Sequence, residues 1–237
     1  MSSLSASQTE FVSSVLSLSP RVAIFDCDGT LWAGDSGAGF FYWELDRGLI
    51  PPETARWARA RYDEYVAGRV GEEQMCGEMV TIHAGIEDTV LRQAAREYFD
   101  SEVADRIFPE MAELARVLRG TGCELWAVSS TNNWVVEVGA ERFGIPPQRV
   151  LAACVTTENG RATGTLIHVP SGDGKATALR AVMQPPFEAV FGNSIHDVAM
   201  LELATNPFCI NPTPELVGLA QEHRWPVYWP AGTGPQK

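Results

Sequence analysis

Asp26 and Asp28 stand one residue apart at the end of an apolar run, Val22-Ala23-Ile24-Phe25, and Gly29 and Thr30 follow at once. Two carboxylates so placed are costly unless a positive charge joins them, such as a metal ion or a lysine. A carboxylate can attack an electrophilic centre and form a covalent intermediate. A second carboxyl beside it can pass a proton in and out. The same residues also suit a turn and a helix cap, so the pair needs partners elsewhere in the chain. Three places offer them. Ser129 and Ser130 follow the apolar stretch that ends at Val128, Lys175 follows Gly172-Asp173-Gly174, and Asn193 and Asp197 follow the run that ends at Phe191. Alone, Ser129 reads as a turn serine, Lys175 as a solvated lysine and Asp197 as a helix N-cap. A lysine at a helix start is nonetheless unexpected, because the helix dipole disfavours a cation there.

These residues need elements to position them. The run before Asp26 suits a buried parallel strand, and open α/β sheets bind ligands beyond the carboxyl ends of such strands. Further strands are expected over Glu124 to Val128, Glu188 to Phe191 and Phe208 to Ile210. Helical patterns separate them, over Glu110 to Arg119, Trp134 to Phe143, Lys175 to Met183, Val198 to Ala204 and Glu215 to His223. This alternation predicts an α/β fold with a doubly wound, Rossmann-like, mostly parallel sheet. Asn159-Gly160 lies between two strand-like runs and reads as a hairpin turn. Phe11, Val12, Val15 and Leu16 form one helix stripe ahead of the first strand. The segment from Ser36 to Asp105 is helical in pattern and far longer than a crossover needs. It reads as a helical cap inserted after the first strand, spanning residues 36–105, on a core domain of 1–35 and 106–237. The Pro/Gly-rich end from Pro230 to Lys237 is expected to fray.

The 237 residues, 45% of them hydrophobic, suffice for a core domain with one insertion. A net charge of −12 speaks against a nucleic-acid partner. Small anionic substrates remain open, because a bound cation reverses the local sign. No apolar run approaches a membrane span, so no membrane partner is expected. The serine-rich start lacks the basic region of a secretory signal, and five scattered cysteines without a Cys-x-x-Cys fit reduced thiols. Both point to a cytoplasmic protein.

In this order, Phe25-Asp26-Cys27-Asp28-Gly29-Thr30-Leu31, Gly172-Asp173-Gly174-Lys175 and Gly192-Asn193-Ser194-Ile195-His196-Asp197-Val198-Ala199-Met200-Leu201 resemble the haloacid dehalogenase superfamily. The nearer resemblance is to its phosphoserine phosphatase-like branch, and it covers the chain from Arg21 to about Trp229. The resemblance implies a Mg²⁺-dependent phosphatase acting on a small phosphorylated metabolite through an aspartyl-phosphate. It makes Asp26 the nucleophile and Asp28 the acid and base. It places Mg²⁺ on the Asp26 carboxylate, the Asp28 carbonyl and Asn193, with Asp197 nearby. It gives Lys175 and Ser129 to the phosphate, together with backbone N–H groups after Asp26 and at Ser130. Dehalogenases of the superfamily carry another residue at the Asp28 position, because a halide leaves without a proton. Asp28 therefore favours phosphomonoester hydrolysis.

Three departures bear on the outcome. The last motif usually begins Gly-Asp, and here it begins Gly192-Asn193. A neutral ligand lowers the charge of the site, so Mg²⁺ binding is expected to be weak. A weakened protein that binds phosphorylated ligands without turning them over is the alternative, as is a phosphotransferase of the same fold. Asp35 stands where the phosphoserine phosphatases hold their substrate's amine with a glutamate, and it also suits a cap-start aspartate. No arginine is evident for a substrate carboxylate, and His196 replaces the usual asparagine, which speaks against phosphoserine itself. His196 reads as a surface or supporting residue. Phe40, Phe41, Tyr42 and Trp43 are consecutive aromatics, expected to fill the cap's interior. They also permit recognition of a quaternary ammonium group. The cap is expected to open and close around substrate, with Gly34 and Gly37 as candidate hinges.

Overall fold

A computed structural model describes residues 4–234. Its centre is a seven-stranded sheet in the order β4-β3-β2-β1-β5-β6-β7. The strands are β1 (Val22–Phe25), β2 (Glu124–Asn132), β3 (Val150–Glu158), β4 (Arg161–His168), β5 (Phe187–Gly192), β6 (Ala204–Ile210) and β7 (Val227–Tyr228). All pairs are parallel except β3 with β4, which form the hairpin expected at Asn159-Gly160. Both turn residues take positive φ, 51° and 76°, as a tight hairpin turn of matching twist requires.

Burial on both faces explains the apolar strands. Along β1, Ala23 and Phe25 enter one hydrophobic cluster and Ile24 enters the other. Helices α1 (Ala6–Ser17), α6 (Pro109–Gly120) and α7 (Asn133–Arg142) cover the first face. Helices α8 (Asp173–Val182), α9 (Val198–Leu201) and α10 (Pro214–His223) cover the second. The stripe of α1 packs as expected, with Phe11, Val12 and Val15 buried. In α6, Met111, Leu114, Ala115 and Leu118 recur at helical spacing behind a proline in the first turn, and all are buried.

Three expectations change in detail. β2 does not stop at Val128 but runs on to Asn132, with a register shift against β3 between Ser129 and Asn132. Such a bulge re-aims side chains at the strand's end. Asn132 then caps α7 by accepting from the Val135 N–H at 3.0 Å. α9 stops at Leu201 rather than reaching Ala204, because the Phe187 N–H bonds the Leu203 carbonyl and draws the chain into β6. Of the end expected to fray, Ala231 is held by Glu110, which accepts its N–H at 2.9 Å. Pro235 to Lys237 lie outside the described residues.

Between β1 and β2 stand α2 (Ser36–Asp46), α3 (Pro52–Val66), α4 (Glu72–Thr81) and α5 (Asp88–Tyr98). The chain leaves and returns side by side: the Ala33 N–H bonds the Arg106 carbonyl at 2.9 Å and the Phe108 N–H bonds Leu31 at 3.0 Å. Gly34, at this exit, has a φ of 90° that favours glycine. Phe40 and Phe41 are buried as expected, Trp43 is half-buried, and Tyr42 is the exposed member of the run.

Candidate active site

The end of β1 carries Asp26, which is buried and held in place by its own N–H bond to the Phe191 carbonyl of β5. Its Oδ1 accepts from Lys175 Nζ at 2.6 Å and its Oδ2 from the Thr30 hydroxyl at 2.8 Å. Lys175 sits in the first turn of α8 and is buried, so its position against the dipole is explained by two carboxylates, Asp26 and Asp197. Burial alone would lower its pKa, and the charges of Asp197 and Asp26 outweigh this and hold it well above the usual lysine range. Burial and the charge of Asp197 push Asp26 up to about 7 against the pull of Lys175, with Asp28 adding to the rise. Two carboxylates therefore share one ammonium group, with the charge of Asp28 close by, and the site is short of positive charge.

Asp28 is gripped on both oxygens. Oδ1 accepts from the Trp32 indole and from the Ser36 N–H, each at 2.7 Å, and Oδ2 accepts from the Thr131 hydroxyl at 2.8 Å. These donors fix the direction of its carboxyl. Asp197 is fully buried: one oxygen meets Lys175, and the other accepts the N–H groups of Asn193 and Ser194 at 2.8 and 2.9 Å. It thus holds both the lysine and the turn that presents Asn193.

The side chain of Asn193 lies against Gly29 so closely that a β-carbon there would stand 2.0 Å from its amide nitrogen. Gly29 also has a φ of 76°. Ser129 is buried, and its hydroxyl accepts the Thr131 N–H at 3.2 Å. Ser130 is half-buried beside it.

A cavity of about 230 Å³ joins these groups, lined among others by Asp26, Asp28, Ser129, Ser130, Lys175 and Asn193. All the expected site residues meet here except Asp197, which supports the wall from behind. The opposite wall comes from the segment between β1 and β2. Asp35 lines it as the N-cap of α2, its Oδ1 accepting from the Ala38 N–H at 2.8 Å. Burial of its carboxyl and the charge of Asp28 raise it to about 6. Phe41, Tyr62, Tyr65 and Met75 line the same wall.

Several residues of the site went unanticipated. Thr30 lies inside the first motif, and its hydroxyl was open to notice. Trp32, Ser36 and Thr131 gave no local signal of their grip on Asp28. Glu72, in the first turn of α4, accepts from Ser171 Oγ at 2.6 Å and pairs with His196 Nε2 at 2.5 Å. These two bonds hold Glu72 below the usual carboxylate range although burial opposes them. His196 is therefore a supporting residue that ties the wall to the last motif.

The donor set is one of hard oxygens, which suits Mg²⁺. Asp26 and Asn193 line the cavity, and among the described residues no backbone N–H bonds the Asp28 carbonyl. Mg²⁺ is commonly held by one or two carboxylates, with waters and substrate phosphate completing its shell. Together with the shortage of positive charge, the residues fit that ion.

The family model of haloacid dehalogenase-like hydrolases matches residues 23–202. The chain is 27% identical over 217 residues to a histidinol-phosphatase of Neisseria meningitidis serogroup C, covering 87% of this chain and 97% of that protein. It is 26% identical over 222 residues to the phosphoserine phosphatase SerB1 of Mycobacterium tuberculosis, covering 86% of this chain and 69% of that one. A solved phosphoserine phosphatase, described as a phospho-aspartyl intermediate analogue, superposes with a TM-score of 0.59 at 14% identity, over 90% of this chain and 94% of its own. That last likeness is one of fold.

Proposed function

This chain belongs to the haloacid dehalogenase-like hydrolases, and from that premise we propose that it hydrolyses a small phosphomonoester, with Mg²⁺, through an aspartyl-phosphate on Asp26. Its phosphatase relatives make it a phosphoric monoester hydrolase of the phosphoserine phosphatase-like branch. The observation that carries the finer reading is the pairing of Asp26 and Asp28. One is buried against a lysine at a strand's end, and the other is aimed by three donors into the same cavity.

In this reading Asp26 attacks phosphorus while the bond to the alcohol oxygen breaks, and Asp28 gives that oxygen its proton. Asp28 then takes a proton from water as the water oxygen attacks the aspartyl-phosphate, which frees Asp26 and releases phosphate. Lys175, Ser129 and the Ser130 N–H meet the phosphoryl oxygens. Mg²⁺ would be held by Asp26, the Asp28 carbonyl and Asn193, with Asp197 behind them, and when bound it neutralises charge on the phosphoryl group. Residues 36–105 act as the cap, a division supported by the paired exit and return of the chain at Ala33 and Arg106. The partner is a small phosphorylated metabolite, neither nucleic acid nor membrane. No helix among the described residues is long and apolar enough to cross a membrane, and a cytoplasmic location is part of the proposal.

The test is phosphate release from a panel of phosphomonoesters across a wide Mg²⁺ titration, with Asp26→Asn as control. Metal-dependent turnover that vanishes in the control is expected. Full turnover in Asp26→Asn would end the nucleophile assignment. Asn193 favours a second reading, in which the chain binds phosphorylated ligands without hydrolysis. Absence of turnover at every metal level, with binding retained, would select it. New phosphoesters formed with added alcohols would instead mark a phosphotransferase.

A further inference from the structure

Glu72 lines the cavity from the first turn of α4. A carboxylate that faces a site for phosphate repels its ligand unless its charge is engaged elsewhere. Both oxygens of Glu72 are engaged, Oε1 by the Ser171 hydroxyl at 2.6 Å and Oε2 by His196 Nε2 at 2.5 Å. Its side chain is only 19% exposed. The group is therefore directed at the core and not at the space a substrate would fill.

Its two partners belong to the two turns that assemble the site. The Ser171 carbonyl accepts the Gly174 N–H at 2.8 Å, in the turn that opens α8 and delivers Lys175. That turn is tight, since a β-carbon on Gly174 would stand 2.7 Å from the Val169 carbonyl. His196 lies in the turn closed by Asp197, whose carboxylate accepts the N–H groups of Asn193 and Ser194. Lys175 Nζ in turn lies 2.5 Å from Asp197 Oδ1. The contacts thus form a ring: Glu72, Ser171, Lys175, Asp197, His196 and back to Glu72. Glu72 is the member of the ring that comes from the segment between β1 and β2.

Anchoring that segment does not account for the ring, because it is secured elsewhere. Arg92 and Arg96 of α5 reach Glu137 and Glu141 of α7 at 2.6 and 2.8 Å, and the Trp134 indole donates to Asp88 at 2.8 Å. Ala162 of β4 exchanges backbone bonds with Gly85 and Ile86 at 2.8 and 2.9 Å. Among the described residues, α3 makes its side-chain bonds only within the inserted segment, through Arg59 to Asp46 and Arg61 to Glu78. The side held by α5 is fixed, and the side free to lift is α3 with the start of α4, where Glu72 stands.

We propose that Glu72 is a positioning residue for the reaction. Through Ser171 and His196 it sets Lys175 and Asn193 relative to Asp26, so that the phosphate and metal sites are complete only while the start of α4 lies on the core. This rests on the phosphatase reading above and adds the residue by which the cap licenses the chemistry. Its effect falls on the phosphoryl group, whatever alcohol the substrate carries.

The experiment measures kcat and KM for p-nitrophenyl phosphate and glycerol phosphate across a Mg²⁺ titration in the full chain, with Glu72→Ala, Glu72→Gln, His196→Ala and the double variant Glu72→Ala, His196→Ala. Removing a partner that orients a metal site costs about 10–100-fold in affinity or activity. Glu72→Ala should therefore lower kcat by about ten-fold or more for both esters and raise the Mg²⁺ concentration for half-maximal rate by about ten-fold. Glu72→Gln, which keeps an acceptor for Ser171, should lose less. The double variant should be no worse than Glu72→Ala, because His196 acts through Glu72. In the metal-free protein, Glu72→Ala should raise amide exchange over residues 171–175 and 193–197 and leave α5 as protected as in wild type. A loss confined to KM or to one ester would make Glu72 a substrate contact and overturn the proposal. So would full additivity in the double variant, or unchanged exchange at both turns. Failure of the phosphatase reading looks different: wild type hydrolyses neither ester. The exchange data and the rise in Tm with Mg²⁺ and inorganic phosphate then decide, the rise being expected to shrink in Glu72→Ala. An equal rise in both proteins would reject the proposal.

Discussion

Trp32 donates its indole N–H to Asp28 Oδ1 at 2.7 Å from a position with no solvent exposure. A group proposed as acid and base is thus aimed by a core residue, which also packs edge-on against Phe99. Trp32→Phe keeps most of the packing and deletes the donor. A hydrogen bond to a charged group contributes about 1.5–3 kcal/mol, so kcat should fall by about ten-fold or more. KM should change little, because Trp32 is a positioning residue that does not line the cavity. A rise in KM with kcat intact would contradict this role.

At Gly29 two constraints coincide, a φ of 76° and the near approach of Asn193. Gly29→Ala should cost about 1–2 kcal/mol for the left-handed backbone alone. It should also push the Asn193 side chain out of place. Phosphate release is expected to drop further than the loss in Tm explains. Activity that simply tracks the folded fraction would show that Asn193 tolerates displacement.

Asn193→Asp adds a negative ligand to a site already facing Asp26 and Asp28. Metal affinity rises with ligand charge, so the Mg²⁺ concentration for half-maximal rate should fall by about ten-fold. The maximal rate should stay of the same order if the native site is a working one. Activity appearing only in the variant would favour the ligand-binding reading.

The buried Glu44–His83 pair gives a stability signature. His83 Nδ1 bonds the Val80 carbonyl and Nε2 meets Glu44, both residues being about 1% exposed. Burial alone would lower the pKa of His83, and the charge and hydrogen bond of Glu44 outweigh it and raise it above 6.5. Burial raises Glu44 above 4.5 against the pull of His83. Both shifts make the folded chain hold more protons than the unfolded one, so stability falls as pH rises. The His83 contribution is complete below pH 6.5 and is lost as pH climbs through its folded value. Tm at pH 8.5 should therefore lie below Tm at pH 6. The slope should flatten in the double variant Glu44→Gln, His83→Asn. An unchanged slope would place the titration elsewhere.

Glu72 binds α4 to two loops of the core, through Ser171 and His196. Glu72→Ala should free this edge, raising amide exchange in α4 and in α3 beside it while leaving β1 and β5 protected. If α4 stays as protected as before, the two bonds are not what closes the wall.

Much of the fold was legible because its signals are local. The apolar run into Asp26, the Asn159-Gly160 turn and the oversized interval before β2 each depend on neighbouring residues. The convergence of Asp26, Ser129 and Asn193 followed from the ends of β1, β2 and β5, which must share the carboxyl end of a parallel sheet, whereas Lys175 enters from the first turn of α8, behind the antiparallel β4. The grip of Trp32, Ser36 and Thr131 on Asp28 was not legible, nor was the tie of Glu72 to Ser171. The bonds of Thr131 and Ser171 join residues 103 and 99 positions apart, and those of Trp32 and Ser36, only 4 and 8 positions from Asp28, depend on the turn the chain makes after β1. The bulge that carries β2 past Ser129 was hidden for a related reason: it arises from register with β3, a property of two strands rather than one.

The placement of β1 between β2 and β5 has a consequence for how the chain is made. The first carboxylates leave the ribosome early, yet their lysine is residue 175 and the strand that closes β1 on its other side ends at Gly192. Asp26 lacks its lysine until residue 175 is made, and β1 keeps an open edge until that strand emerges, the condition in which nascent chains associate wrongly. Any product of interrupted synthesis that ends before Phe187 carries the opening motif but no assembled centre. The hydrolase therefore comes into being late in its own translation, all at once, when its last third arrives.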